Sequence, residues 1–404
     1  MEHRKALTLT SSVYLERYAW KQSLLPNVEP PDNLGIVIVL PAFKEEAIEV
    51  ALESLYKCTP PEKEVLILVV INEPKDTDAK TRQINNQTIN TIKGYPKGYS
   101  IYTSYLQLPN KKAGVGLARK IGMDEAVRLF HQVDHDGVIV CYDADCRCDE
   151  DYLIEIEKAY KKPSTNAGVV FYEHQLNRMN HEAILNYELY LRYYIDAIRI
   201  TGFPYAHQTL GSCITVRCSV YEKVGGMNTR KAGEDFYFLN KTIPLGGFVE
   251  INSTTVRPSD RVSDRVPFGT GKAVKEILQS EEIYSVYHPN SFEDLKLFFQ
   301  LVDEFWEKEN WQIPKSMESF LGDEWKEELR KLKSQVGSQD QFRKRFFHWF
   351  NAFKILKYVH HNRIYFYQDV ELEEALEWLR SYTLHIKGDL TSQLVQLRYF
   401  DRKY

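Results

Sequence analysis

What most limits the fold of this chain is a series of short apolar runs, each closed by polar or turn residues and followed by a stretch with helical spacing. "GIVIVL" (35–40) is rich in β-branched residues and bounded by Pro41, so it reads as a buried strand. In "EEAIEVALESLYK" the residues Ile48, Leu52 and Leu55 recur at helical intervals. "EVLILVVI" (64–71) is a second strand, a polar helix follows over about 78–92, and "YSIYTSYLQL" (99–108) is a third strand. "GVGLARKIGMDEAVRLF" puts Leu117, Ile121, Ala126, Leu129 and Phe130 on one helix face. "GVIVCYD" (137–143) and "NAGVVFYEH" (166–174) are the fourth and fifth strands, with the helix "EDYLIEIEKAY" between them. This alternation predicts an α/β fold with a mainly parallel sheet flanked by helices.

In such sheets the ligand crevice lies beyond the carboxyl ends of the strands. "PAFKEE", "NEPKD" and "DAD" each follow a strand directly, so all three are expected on one rim. Before the sheet, residues 1–33 form an irregular arm, and the α/β domain is expected over 34–272. From 273 to 404 aromatic and apolar residues at helical spacing predict a helical C-terminal extension. Within it, "QFRKRFFHWFNAFKILKYVHHNR" is locally basic and carries Phe342, Phe346, Trp349 and Phe353 as an aromatic stripe. Core packing is the expected use of that stripe, with a membrane-surface or anionic-acceptor role as the alternative.

Composition bounds the function. The net charge of -4 gives no basis for a nucleic-acid partner. No apolar run is long enough to span a bilayer, and the start lacks a signal-like core, so a cytoplasmic location is expected, with peripheral contact at the inner membrane surface left open. Six cysteines in 404 residues do not make a disulfide scaffold. Cys146-Arg-Cys148 resembles half of a zinc knuckle, yet no second pair of soft ligands follows at usual spacing. Reduced thiols are the expectation.

The chemistry gathers in "DADCRCDEDYL". Asp143 and Asp145 lie on one side of an extended segment, and two carboxylates so placed can hold Mg2+ or Mn2+, which neutralises a diphosphate. Taken alone, acids at a strand end are more often solvated turn formers.

The order of the surrounding segments adds a resemblance. "VIVLPAFKEE", "NKKAGVGLARKIG", "DADCRCDEDYL" and "GSCITVRCSVYEKVGGMNTRKAGEDFYFLNK" follow one another as do the motifs of GT-A-fold glycosyltransferases, particularly family 2 and its relatives. The resemblance covers roughly residues 34–250. It implies a GT-A, Rossmann-like fold and a nucleoside-diphosphate sugar donor. It further implies that Pro41, Ala42, Glu45, Asn72, Lys112, Gly114, Arg119 and Asp143 surround the nucleotide. Asn72 stands where the family commonly has aspartate, which leaves the base open, and Lys120 departs from the usual asparagine. Asp145 and Asp143 are the implied metal ligands. His288 is the expected third ligand, beside Asp260 and Asp264. Asp235 is the implied base for the acceptor hydroxyl, and Glu234 its orienting neighbour; as first-turn residues after Gly233, both also suit a helix N-terminus.

The expected activity is therefore metal-dependent transfer of a sugar, a hexose, to an acceptor hydroxyl with inversion. The acceptor is a saccharide, a lipid or a small molecule. Two alternatives stand beside it: a catalytically silent sugar-nucleotide binder, and a nucleotidyltransferase, which would want a glycine-rich basic loop where "PAFKEE" stands. Arg257, Arg261, Arg265 and Lys272, in a glycine-containing segment, are candidates for a lid that clamps diphosphate. Tyr190, Tyr193 and Tyr194 are read as core.

Overall fold

The apolar runs come together as one eight-stranded sheet in a computed structural model, which describes residues 13–95, 98–176, 180–263, 269–280, 283–309, 311–382 and 386–403. The chain runs through β1 (Leu34–Ala42), α1 (Glu49–Tyr56), β2 (Glu64–Pro74), α2 (Ala79–Lys93), β3 (Ser100–Leu108) and α3 (Val115–Gln132). It continues with β4 (Val138–Cys141), β5 (Arg147–Cys148), α4 (Tyr152–Tyr160), β6 (Ala167–Tyr172), α5 (His181–Ile200) and β7 (Ile214–Arg217). α6 (Cys218–Lys223), α7 (Glu234–Thr242), β8 (Phe248–Arg257) and α8 (Thr270–Gln279) follow. The strand order is β3-β2-β1-β4-β7-β6-β8-β5. β1 pairs in parallel with β2 and β4, β2 with β3, and β6 with β8. β7 runs antiparallel to β4 and β6, and β5 antiparallel to β8. This mixed, mainly parallel sheet with flanking helices is the expected GT-A, Rossmann-like fold.

Every residue of β1 is buried, which is why its sequence reads as a continuous apolar run rather than an alternation. The strand continues two residues past its expected end. Ala42 still pairs with Ile71 of β2, whereas β4 has stopped opposite Val39. Beyond that point β1 has a ladder neighbour on one side only, where proline is tolerated. β8 also outruns the sequence reading: Arg257, read there as part of a lid, pairs with Arg147 of β5, and Thr255 and Val256 pair with β6 across a register shift between Val170 and Phe171.

α3 is buried on both faces. Gly122 lies so close to β1 that a Cβ there would come within 2.5 Å of Val39. On the opposite face Asp124 and Glu125 hold the N-terminal arm. Tyr14 and Tyr221 hydroxyls donate to Asp124 at 2.5 and 2.8 Å, and the Trp20 N–H donates to it at 2.7 Å. The Ser23 hydroxyl and Leu25 N–H donate to Glu125 at 2.7 and 2.9 Å. Residues 13–25 of the arm, helical over 13–17, are thus strapped to α3.

The chain divides into two compact units: Met1–His181 with Thr209–Glu276 and Asp401–Tyr404, and Glu182–Gln208 with Ile277–Phe400. The sheet belongs to the first. The second is helical, and its core is aromatic: Phe342, Phe346, Phe347 and Phe350 are buried with Phe298, Phe299 and Phe305, while Arg343, Lys344 and Arg345 face solvent. Tyr193 packs edge-on to Phe292 and Trp378 in the same core. Glu188 is buried there between Arg192 and Arg398, at 2.7 and 2.6 Å. Among the described residues, no helix is long and apolar enough to cross a membrane.

Candidate active site

β2 and β3 lie on one side of β1 and β4 on the other, so the order of the sheet reverses between β1 and β4. A crevice opens at such a switch point, outside the strands' carboxyl ends. The segments there are 43–46 after β1 and 142–146 after β4.

The first segment is held from α2. Lys44 has φ 52°, a left-handed conformation that costs a non-glycine residue about 1 kcal/mol. Its N–H donates to Asn85 Oδ1 at 2.9 Å, and Asn85 Nδ2 donates in turn to Glu73 Oε2 at 2.9 Å. The Thr88 hydroxyl donates to the Glu45 carbonyl at 2.6 Å. Glu73, at the end of β2, is fully buried and also accepts from Arg82 at 3.1 Å and Gln107 at 3.1 Å. Glu73 and Asn85 buttress the rim, and sequence reasoning did not single them out. The placement of "NEPKD" after a strand was the available signal.

Two arginines, Arg119 buried and Arg261 partly exposed, then join acids from three segments. Arg119, near the start of α3, donates from Nη2 to Asp143 Oδ1 and from Nη1 to Glu234 Oε1. Gly211 makes room for it: a Cβ there would lie 2.4 Å from Arg119 Nη1. Arg261 grips Glu45 with two hydrogen bonds, at 2.7 and 2.5 Å, and its Nη2 lies 2.7 Å from Asp145 Oδ2. Gly233 (φ 71°) turns the chain into α7, whose first residues are Glu234 and Asp235. Glu45, Asp143, Asp145, Glu234 and Asp235 are thereby set against two guanidiniums.

The electrostatics follow from that imbalance. Burial pushes the Glu234 carboxyl up to about 7; Arg119 opposes this, while Asp235 and Asp143 add to it. Burial likewise raises Asp235, which Arg119 and the Phe236 N–H (2.7 Å from Oδ1) counter. The arginines hold their protons firmly, because nearby carboxylates outweigh burial. Such a group of carboxyls favours taking up a proton or a further cation.

The remaining expected residues are placed as follows. Pro41 and Ala42 are buried at the end of β1, and Asn72 is buried near the end of β2. Lys112 is exposed in the turn before α3, its N–H donating to the Pro109 carbonyl at 2.7 Å. Gly114 caps α3 where a Cβ would lie 3.2 Å from Lys231 Cα, which brings that turn beside the loop before α7. Among the described residues, no side-chain hydrogen bond or ion pair ties Asn72 or Lys112 to the carboxylates. His288 belongs to the second unit, where its Nδ1 accepts the Asn290 N–H at 3.0 Å and caps the helix Pro289–Gln300. Asp260 is buried, and its carbonyl accepts from Asn180. Of the basic residues considered for a lid, Arg257 is occupied by Asp149 and Glu173, and Lys272 lies 3.5 Å from Glu276. Arg265 and Asp264 lie outside the described residues.

A different group could hold a divalent metal: His131, Cys218 and Glu222, whose ligand atoms lie within 4.8 Å of one another. It sits at the opposite end of β4 from Asp143, because Cys218 follows Arg217, the partner of Val138 at the start of that strand. His131 Nε2 is 3.0 Å from Glu222, and burial holds the Cys218 thiol well above its usual range, so the group is closed by its own hydrogen bonds.

No protein-family model matches this chain, and no curated protein does. Among solved structures it is similar to S. aureus TarS 1-349 in complex with UDP-GlcNAc, at 14% identity over 78% of this chain and 91% of that one, with a TM-score of 0.42. It is similar to the mannosyltransferase PcManGT from Pyrobaculum calidifontis in complex with GDP-Man and Mn2+, at 12% identity over 99% and 96%, TM-score 0.36. GalNAc-T7 with UDP, GalNAc and Mn2+ matches at 11% over 83% and 58%, TM-score 0.37. These likenesses to nucleotide-sugar glycosyltransferases are distant and say nothing of residue roles in this chain.

Proposed function

We propose that the protein is a glycosyltransferase resembling family 2, moving a hexose from a nucleoside-diphosphate sugar to an acceptor hydroxyl with inversion. The observation that carries this reading is the meeting of acids from three distant segments at the β1/β4 switch point through Arg119 and Arg261. Pro41, Ala42, Glu45, Asn72, Lys112, Gly114 and Arg119 are the proposed surroundings of the nucleotide.

A divalent cation fits the donor set. Asp143 and Asp145 offer hard oxygen ligands suited to Mn2+ or Mg2+, and the excess of carboxyls over guanidiniums supports a further positive charge. Bound there, the cation would neutralise the charge that gathers on a departing diphosphate. The chain's own residues do the rest. Arg119 fixes Asp143 and Glu234 together, so the donor-side acid and the acceptor-side acid share one anchor. Asp235, made more basic by burial, is the proposed base that takes the proton of the acceptor hydroxyl as its oxygen attacks the anomeric carbon. Arg261, which pairs with Asp145, would be free to pair with the diphosphate if Asp145 held a cation. The free thiols and the lack of a spanning helix among the described residues support a cytoplasmic enzyme.

The test is diphosphate release from a panel of nucleotide sugars, with Mn2+ or Mg2+ and with or without acceptor sugars. Asp145→Asn is expected to abolish the metal-dependent part; undiminished release rejects the ligand role. Asp235→Asn is expected to slow acceptor-dependent transfer by about 10²–10⁴-fold while nucleotide affinity stays within a few-fold. Transfer at the wild-type rate rejects Asp235 as base.

A further inference from the structure

Of the two cysteines that looked like half a knuckle, one has a partner from far away in the sequence. Cys148 Sγ lies 3.6 Å from Cys58 Sγ, at the carboxyl end of α1. The backbones on either side are already joined: the Thr59 N–H donates to the Glu150 carbonyl at 2.7 Å, and the Cys58 thiol faces the Asp149 carbonyl at 3.6 Å. Cys58 is buried and Cys148 half-buried, so reagents have access from one side. The other four cysteines are buried. Cys141 faces Met123 Sδ at 3.7 Å and Cys218 faces Glu222 at 3.7 Å, neither of which is a thiol.

We propose that Cys58 and Cys148 are a reversible redox pair, closed to a disulfide by peroxides. The two thiols are not equivalent. Burial opposes ionisation of Cys148, but hydrogen bonds from Cys58, Tyr142 and Ser54 outweigh it and hold its thiol below the usual range. Cys58 is held above the usual range, first by its bond to Cys148 and then by burial. Cys148, half-buried where Cys58 is buried, is the sulfur a peroxide reaches and so the attacking one, with Cys58 the resolving thiol. In the first step the Cys148 sulfur attacks one oxygen of hydrogen peroxide; the O–O bond breaks, hydroxide leaves, and a sulfenic acid forms. In the second the Cys58 sulfur attacks that sulfenyl sulfur, expelling its oxygen as hydroxide. The two thiol protons convert both hydroxides to water, and two electrons have passed from the thiols to the peroxide. A dithiol reductant reverses the change by exchange.

The position gives the bond a consequence. β5, which contains Cys148, follows Asp145 after a single residue and pairs with β8 through Arg147 and Arg257. A disulfide would tie that segment to α1 and restrict the strand end that presents Asp145. This last effect concerns the backbone and stands whether or not the site transfers sugar.

The test is to treat the full chain with hydrogen peroxide, alkylate remaining thiols under denaturing conditions, and map peptides by mass spectrometry. The expected result is loss of two of the six thiols, a linked Cys58–Cys148 peptide, recovery of both thiols with dithiothreitol, and slower amide exchange over 143–149 in the oxidised form. Cys58→Ser is expected to arrest Cys148 as a sulfenic acid captured by dimedone, and Cys148→Ser to prevent oxidation of Cys58. The proposal is overturned by six surviving thiols, by a link between other cysteines, or by direct passage of Cys148 to sulfinic acid in the unaltered chain. Wild-type mapping alone decides between these outcomes if either variant fails to fold.

Discussion

Arg119 and Arg261 each hold two acids, and they do so with different freedom. Arg119 is enclosed, with the Glu234 side chain equally enclosed and Asp143 about a third exposed. Arg261 is about a third exposed. On the proposed reading, Arg261 is therefore the one that would compete with a cation for Asp145. Arg261→Ala should tighten Mn2+ binding several-fold, as read by calorimetry without any sugar donor; weaker binding would show that Arg261 assists the cation rather than occupying its place. Glu234 gives a pH signature. Its folded-state pKa of about 7 lies above the ordinary 4.5, so the folded chain holds this proton more tightly than the unfolded one. The associated stability is fully present below 4.5 and lost as pH rises through about 7. Thermal melts of the apoprotein between pH 5 and 8 should show this decline, and Glu234→Gln should flatten it. An identical slope in the variant would contradict the assignment. The carboxylates themselves were legible in the sequence, because acids directly after buried strands have one rim to go to. Their partners were not: nothing in the spacing of Arg119, Glu234 and Asp143 says that one guanidinium reaches both acids.

At the scale of elements, the site depends on how closely α3 meets the loop that leads into α7. A Cβ on Gly116 would lie 2.1 Å from the Arg230 carbonyl and 3.0 Å from Glu234 Cβ, so the backbone of that loop would have to move. Gly116→Ala is expected to cost about 1–3 kcal/mol of stability, the usual range for overpacking, and to displace Glu234 and Asp235. Urea unfolding measures the cost, and a variant as stable as the wild type would mean that the loop adapts freely. The periodicity of α3 was readable, yet only half of its burial was. Asp124 and Glu125 look like a solvated face until the arm supplies Tyr14, Trp20, Ser23 and Leu25 to cover them. Hydrophobic pattern cannot report a polar face buried by hydrogen bonds. The end of β8 escaped for a similar reason, since "STTVR" earns its strand pairing from β6 and β5 and not from its own apolar content.

Across the whole molecule, each compact unit carries its own core, one built on a sheet of aliphatic strands and the other on stacked aromatic helices. The fold class was plain from the sequence because it rests on periodic apolar residues; of the aromatic stripe, Phe342 and Phe346 are buried as expected, Trp349 and Phe353 only half-buried, and Phe347 and Phe350 were not foreseen. The grouping of 182–208 with the later helices was not legible, because contacts between segments distant in sequence leave no local pattern. The account stands on a divalent ion held by Asp143 and Asp145 at the carboxyl end of β4. Mn2+ binding followed by electron paramagnetic resonance, with and without a nucleoside diphosphate, tests that most directly. The prediction is a stoichiometric bound ion in the wild type, tightened by the nucleotide and lost in Asp145→Asn. Equal binding in that variant, or saturation only by the His131, Cys218 and Glu222 group, would contradict it.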